Sequence, residues 1–256
     1  MIIKRFASVC SFVVMLCPLA ASTVCGEVVT YTIDPTQSSL SVLGSLNGNP
    51  AGAQTAGSLS TSFSGTIVAD RTPTTIAFNG GSVLNAALQA SNQQPNSSAI
   101  PDTNGPADYG RTADGPFGTT IFEALRGVLL DIEDDTSGAG IPIVGTQFNS
   151  LSMIILFDAG SSDLNYGNST LETELAGLGN SNSGGQPSMI EVLGSTEKLT
   201  LRISSGPVFY TVQQTNDSDV SFVGEIVATR TVPEPGGAVA LLGIGLFGSR
   251  LRRRRV

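Results

Sequence analysis

Apolar and polar residues alternate one by one along much of this chain. In the run SLSTSFSGTIVAD, the apolar residues Leu59, Phe63, Ile67 and Ala69 fall on one face, and serine and threonine fall on the other. Successive side chains of a β-strand point to opposite faces, so this pattern predicts a strand with one buried face. A chain built from such strands must pack their apolar faces against each other.

Eight further runs alternate in the same way, and Gly, Pro, Asn and Asp separate them. Many short strands between such turns predict an all-β fold, a single antiparallel β-sandwich or barrel-like domain. The segment 169–179 has helical spacing and favours a helix. The segment 88–120 is rich in Pro, Gly, Asn and Asp and predicts a long irregular loop. The alternating runs are VVTYTID, LSVLGSL, TTIAF, RGVLLDI, LSMIILF, KLTLRIS, PVFYTVQ and VSFVGEIVATR.

The segment from Glu27 to Val232 is strongly acidic. It holds six basic and twenty acidic residues, which gives it a net charge of −14. Such a surface repels nucleic acid phosphates and anionic lipid, so we expect no nucleic acid partner. The charge suits a soluble domain in an aqueous, salty environment.

The chain has no histidine, and its three cysteines lie within the first 25 residues. These absences exclude Ser-His-Asp and Cys-His catalysis and histidine-based zinc sites from the segment 27–231. We therefore expect a protein that is not an enzyme. A hydrolase that uses two carboxylates is the remaining catalytic alternative, and it requires two acidic residues that converge in a cleft.

Two stretches are rich in oxygen ligands. Calcium binds six to eight oxygens from residues of this kind, although neither stretch has the spacing of an EF-hand loop. The first stretch is therefore a candidate calcium site, and the alternative is that both are solvated acidic turns. The candidate residues are Asp131, Glu133, Asp134 and Asp135 in the first stretch, and Asp102, Asn104, Asp108 and Asp114 in the second.

The first 26 residues have the pattern of a secretory signal peptide. Lys4 and Arg5 precede the apolar run FASVCSFVVMLCPLA, and small residues follow it. This order is typical of a signal helix that is removed after export. It divides the chain into a signal peptide at 1–26, an extracytoplasmic β-rich domain at 27–231 and a C-terminal segment at 232–256.

The segment 232–256 contains three consecutive parts. Val232, Pro233, Glu234 and Pro235 come first, and the thirteen residues from 236 to 248 are uncharged. Thirteen residues form a hydrophobic helix of about 20 Å, whereas a bilayer core is about 30 Å thick, so this helix is a poor permanent anchor. Cations after such a helix hold the C-terminus on the cytoplasmic side of the inner membrane. They are Arg250, Arg252, Arg253, Arg254 and Arg255.

This three-part segment resembles the PEP-CTERM sorting signal. The resemblance implies a membrane-embedded processing enzyme, an exosortase, as partner, with the inner membrane as a transient attachment. It also implies release or re-attachment at or beyond the outer membrane, in association with exopolysaccharide and biofilm. We therefore expect an exported bacterial protein of the cell surface or extracellular matrix.

A second resemblance covers the start of the predicted domain. YTIDPTQSSL, at 31–40, and FSGTIV, at 63–68, resemble the opening of YceI-type lipid-binding barrels, although Gln37 stands where that family usually has histidine. The resemblance implies a lipocalin-like barrel with an isoprenoid ligand. A binding module, either this kind of barrel or a calcium-stabilised adhesion domain, is therefore the alternative function.

Overall fold

A computed structural model describes residues 26–88, 106–166, 169–183, 187–213 and 216–232. The predicted signal helix and C-terminal hydrophobic helix lie outside these ranges. The described part is made of β-strands, with two 3₁₀ turns at Pro116–Gly118 and Ser150–Ser152 and no α-helix. The first nine strands are β1 Glu27–Ile33, β2 Ser39–Leu46, β3 Asn49–Pro50, β4 Gly52–Ala53, β5 Ser60–Arg71, β6 Thr75–Ala77, β7 Val83–Ala86, β8 Tyr109–Asp114 and β9 Thr120–Asp134. The others are β10 Ile141–Val144, β11 Gln147–Phe148, β12 Met153–Tyr166, β13 Ser169–Glu174, β14 Gly179–Ser181, β15 Ser188–Leu193, β16 Thr196–Ser204, β17 Val208–Gln213 and β18 Asn216–Thr231.

The prediction of an all-β, barrel-like fold is confirmed. Every alternating run identified in the sequence overlaps one of these strands. Two local predictions are wrong. The segment 169–179 is not a helix, because its first six residues form β13 and pair with β12. The predicted loop at 88–120 contains β8, which pairs with β9 along its whole length.

Eight strands close a circuit through antiparallel pairs. The order is β1, β5, β6, β10, β11, β15, β16 and β18, and β18 then pairs with β1 again. The remaining strands extend the wall, with β2 between β5 and β18, and β7, β9 and β12 further round. Closure pairs the strand edges that an open sheet would expose.

Side chains fill the interior of the barrel. The ring of Phe222 lies 5.4 Å from that of Phe157 and 6.1 Å from that of Tyr109, and all three are buried. Phe63 and Tyr31 contribute further fully buried aromatic side chains from β5 and β1. An eight-stranded barrel is just wide enough for side chains to fill it, so the inward faces of the alternating runs form one core.

Glycines allow the long strands to cross closely. At Gly65 in β5, φ is +121°, and a Cβ atom would lie 1.9 Å from the carbonyl oxygen of Val83. At Gly224 in β18, a Cβ atom would lie 2.2 Å from the carbonyl oxygen of Ser39. Only glycine fits where a neighbouring backbone approaches to such a distance.

A buried ion pair lies within this core. Arg111 of β8 and Glu123 of β9 are direct cross-strand partners, and both side chains are fully buried. Arg111 Nε donates to Glu123 Oε2 at 2.6 Å, and its other nitrogens donate to the carbonyl oxygen of Asp219 at 2.8 Å and to the hydroxyl of Tyr210 at 2.6 Å. Ser162 Oγ donates to the second oxygen of Glu123 at 2.6 Å. Burial alone would lower the pKa of Arg111, but the charge of Glu123 holds that pKa above its ordinary value.

We predict that Arg111→Met destabilises the protein by about 3–5 kcal/mol, because it leaves the Glu123 carboxylate buried without its cation. Urea unfolding of the purified chain measures the change. Arg202→Met is the matched control, since Arg202 pairs with Glu225 at 3.4 Å on the surface and should cost less than about 1 kcal/mol. Equal losses in the two variants would show that the buried pair has no special weight.

Candidate functional site: the exit rim

One end of the barrel carries both ends of the domain. Because the eight circuit strands are antiparallel, β1 begins at this end and β18 finishes there. The turns at 72–74, 145–146 and 194–195, which join β5 to β6, β10 to β11 and β15 to β16, lie at the same end. We call the start of β1, these three turns and the end of β18 the exit rim.

The first and last strands meet directly at the exit rim. β1 and β18 pair at Thr32–Thr229 and Ile33–Ala228. Closer to the rim, a carboxylate oxygen of Glu27 lies 3.8 Å from a guanidinium nitrogen of Arg230. The predicted signal peptide and the predicted C-terminal segment therefore join the domain side by side.

A charged cluster lies just inside the rim. Arg230 Nη2 donates to Glu197 Oε2 at 3.4 Å, and its guanidinium lies 5.7 Å from the centre of the Tyr31 ring. The Tyr31 hydroxyl donates to the other oxygen of Glu197. Arg71 Nε lies 3.7 Å from that same oxygen. One carboxylate thus holds together β1, β5, β16 and β18.

The cluster shifts the ionisation of two of its members. Burial, followed by the hydrogen bond to Glu197, raises the pKa of Tyr31 well above its ordinary value. Burial would lower the pKa of Arg230, but Glu197 raises it above its ordinary value. The network therefore favours the neutral form of Tyr31 and the charged form of Arg230.

β1 and β18 separate towards the rim and leave a polar groove. From Glu27 to Tyr31, β1 pairs with β5, while the end of β18 pairs with β16. The groove has a volume of about 480 Å³. Threonine dominates its lining, which consists of Glu27, Val28, Val29, Thr30, Thr32, Thr196, Thr229, Arg230 and Thr231.

Among the described residues, the last backbone contact of β18 and its continuation reaches the first residue of the predicted sorting motif. The Val232 amide donates to the carbonyl oxygen of Ser195 at 2.8 Å. Pro233 has no N–H, so the ladder cannot continue through it in the same way. No linker separates the end of β18 from the motif.

Comparisons with known proteins identify the segment that follows β18. Residues 231–255 match the family model described as the PEP-CTERM protein-sorting motif. The chain carries a PEP-CTERM sorting motif. This confirms the resemblance seen in the sequence and supports export and processing by an exosortase, a membrane enzyme. Searches of curated proteins and of solved structures found no match, and the resemblance to YceI-type barrels is not shown.

Most of the PEP-CTERM segment lies outside the described residues. Val232 is described, whereas Pro233, Glu234, Pro235 and the arginine cluster at 250–255 are not. Within the described ranges, no helix combines the length and the apolar character that a bilayer crossing requires.

Two of the four carboxylates predicted to bind calcium accept hydrogen bonds from backbone N–H groups. Both oxygens of Asp131 accept backbone N–H groups, from Gly81 and Ser82, each at 2.8 Å. Asp134 accepts from the Phe78 and Thr136 amides. Asp131 and Asp134 therefore hold the loop between β6 and β7 against β9. Among the described residues, no group of three or more acidic, histidine or cysteine side chains is placed to hold a metal.

The second oxygen-rich stretch is also dispersed. Asp102 and Asn104 lie outside the described residues. Asp108 is buried and accepts the Val128 amide at 2.7 Å, and burial raises its pKa. Asp114 is exposed at the end of β8. The two described carboxylates of this stretch therefore differ in surroundings, since one is buried and the other is exposed.

Sequence reasoning missed the rim cluster. Tyr31 and Glu197 are 166 positions apart in the chain, and no local pattern links them. Arg230 and Glu197 become neighbours only through the register of β16 and β18. The one sequence feature that could have pointed to the cluster is the small number of cations in the domain. Half of its six basic residues lie near this rim: Arg71, Lys198 and Arg230.

We predict that the protein loses stability as pH rises above about 10, where tyrosines of the unfolded chain ionise. The pKa values of Tyr31, Tyr109 and Tyr210 are raised in the folded state. The stability that these raised pKa values give is fully present below the pKa of the unfolded chain, and it is lost as pH rises towards the pKa of the folded state. Each tyrosine that keeps its proton only in the folded state makes the unfolding free energy fall by about 1.4 kcal/mol more per pH unit. Tyr31→Phe should therefore reduce the slope of the unfolding free energy against pH by that amount.

Urea unfolding at several values of pH from 9 upwards measures this slope. The control is Phe209→Tyr, which adds a tyrosine at an exposed position of β17. This tyrosine ionises alike in both states, so the slope should stay as it is in the unaltered protein. A Tyr31→Phe slope equal to that of the control would contradict the assignment.

Proposed function

We propose that this chain is an exported, non-enzymatic bacterial protein of the cell surface or extracellular matrix, delivered through its PEP-CTERM motif. The match of residues 231–255 to that motif carries the proposal. The structure supports it because β18 leads directly into the motif at the exit rim. The β-domain is the cargo, and the C-terminal segment holds it at the inner membrane until an exosortase acts.

The engagement of the buried acids supports a non-enzymatic role. Glu123 is neutralised by Arg111 and accepts from Ser162, and Glu197 is held by Tyr31 and Arg230. A pair of catalytic carboxylates needs two acids on either side of a cleft that substrate can enter. Each of these two buried carboxylates instead ties strands together, which is a structural task.

The packed interior favours this proposal over a lipid-carrying barrel. Lipid carriers of the barrel type keep a cavity inside, whereas here Phe63, Phe157 and Phe222 fill the space between the walls. A ligand for such a core would have to displace several aromatic side chains.

We further propose that the protein works among exopolysaccharide, in a biofilm. Its outward strand faces are rich in serine and threonine, and the segment from Glu27 to Val232 carries a net charge of −14. Hydroxyl groups form hydrogen bonds with water and with sugar hydroxyls, while like charges keep the domains apart. Both properties suit a hydrated matrix.

We predict that the variant Pro233→Ala with Pro235→Ala stays in the membrane fraction and keeps its arginine cluster. The two prolines keep the junction extended and non-helical, which is the form a processing enzyme can bind. Intact-mass measurement of the exported and membrane fractions of the producing bacterium follows the C-terminus. Pro73→Ala, in an exit-rim turn, is the control and should be processed like the unaltered chain.

An unaltered protein that leaves the cell with Arg250–Arg255 still attached would overturn the proposal. So would a truncated chain without 232–256 that reaches the same final location. Either result would mean that the motif does not direct sorting.

A further inference from the structure

Exposed apolar side chains gather at the exit rim. Val28 is 68% exposed, Val144 79%, Val192 62% and Leu193 60%. Val28 belongs to the start of β1, and the other three flank the turns at 145–146 and 194–195. These turns and the turn at 72–74 consist of Gly, Ser, Thr and Pro, without a charged residue. The rim therefore combines three uncharged turns with four exposed apolar side chains.

The charge of the rim differs from that of the rest of the domain. Among residues 27–232, those within four positions of the rim's turns and strand ends include three cations and four acidic groups, a net charge of −1. The other residues from 27 to 232 include three basic and sixteen acidic ones, a net charge of −13. By this count, an anionic surface repels the rim less strongly than the rest of the domain. The charged rim residues are Arg71, Lys198, Arg230, Glu27, Asp70, Glu191 and Glu197.

The chain length beyond the rim limits its distance from the bilayer. Three residues, 233–235, separate Val232 from the uncharged stretch that begins at Gly236. Three fully extended residues span at most about 10 Å. The headgroup layer on each side of the hydrocarbon core is about 5–8 Å thick. A domain tethered by this stretch must therefore hold its exit rim at the headgroup layer.

We propose that the exit rim is a membrane-contact surface, and that Val28, Val144, Val192 and Leu193 enter the headgroup layer of the inner membrane before processing. The partner is a lipid bilayer surface. The inference rests on the proposed tethering by residues 236–248. Apolar side chains on uncharged turns gain free energy at this interface, whereas a fully acidic surface would be repelled. The contact keeps the motif at the depth where a membrane-embedded enzyme can reach it.

The chain contains no tryptophan, so single tryptophans report lipid contact without background. Leu193→Trp and Val144→Trp place probes on two different rim turns. Phe209→Trp is the control, because Phe209 is 65% exposed on β17, which pairs with the half of β18 far from the rim. Leu242→Trp probes the tethering stretch itself. Equal urea midpoints for the variants establish that each one is folded.

Each full-length variant is reconstituted into phosphatidylethanolamine–phosphatidylglycerol vesicles with and without brominated acyl chains. We expect bromine to reduce the fluorescence of both rim probes by about half and that of Phe209→Trp by less than about a tenth, because interfacial side chains lie about 5–10 Å deep. Strong quenching at Leu242→Trp accompanies this result.

Quenching at Leu242→Trp without quenching at either rim probe would overturn the rim contact and leave the tether intact. Equal quenching at Phe209→Trp and at the rim would also overturn the rim contact, since the domain would then have no preferred face. An unquenched Leu242→Trp would overturn the tether and the rim contact together.

Discussion

The pairing of the first strand with the last is the constraint that organises this molecule. β1 and β18 are antiparallel neighbours, so the barrel closes where the chain enters and leaves it. Glu197 strengthens this closure, because Tyr31, Arg71 and Arg230 approach it from three other strands. Without the seam, β1 and β18 would each present an unpaired edge to other chains. The seam also places the apolar turns of the exit rim beside the start of the sorting motif.

The fold could be predicted where side-chain polarity follows strand geometry. β5 alternates cleanly, and its inward positions are the buried ones, whereas β18 alternates from 218 to 222 and then has three consecutive buried residues at 226–228. β8 was missed because Arg111 occupies an inward position, where a pattern search expects an apolar residue, and Glu123 on the adjacent strand makes that position possible. The segment 169–179 gave a false helical spacing, since Leu171 lies on β13 while Leu175 and Leu178 belong to the turn after it.

The candidate site, like the fold, could be predicted from the sequence only in part. The sorting motif was predictable because its three parts follow one another in the chain, so no folding is needed to see them. The carboxylates at 131–135 stand close together in the sequence, but backbone N–H groups bind Asp131 and Asp134, and this engagement depends on the fold. The rim cluster joins Tyr31 to Glu197 across most of the chain, and only the strand register brings them together.

The hydrogen bond from the Val232 amide to the Ser195 carbonyl oxygen keeps the chain against the barrel up to the start of the sorting motif. Domains on flexible linkers swivel freely about their attachment, because a coil of many residues has no preferred direction. Here a molecule joined near Pro235 would sit about three residues from a rigid wall, a stand-off of about 10 Å. The barrel would then keep a fixed orientation relative to that molecule, with the pairing of β17 with the start of β18 at its far end.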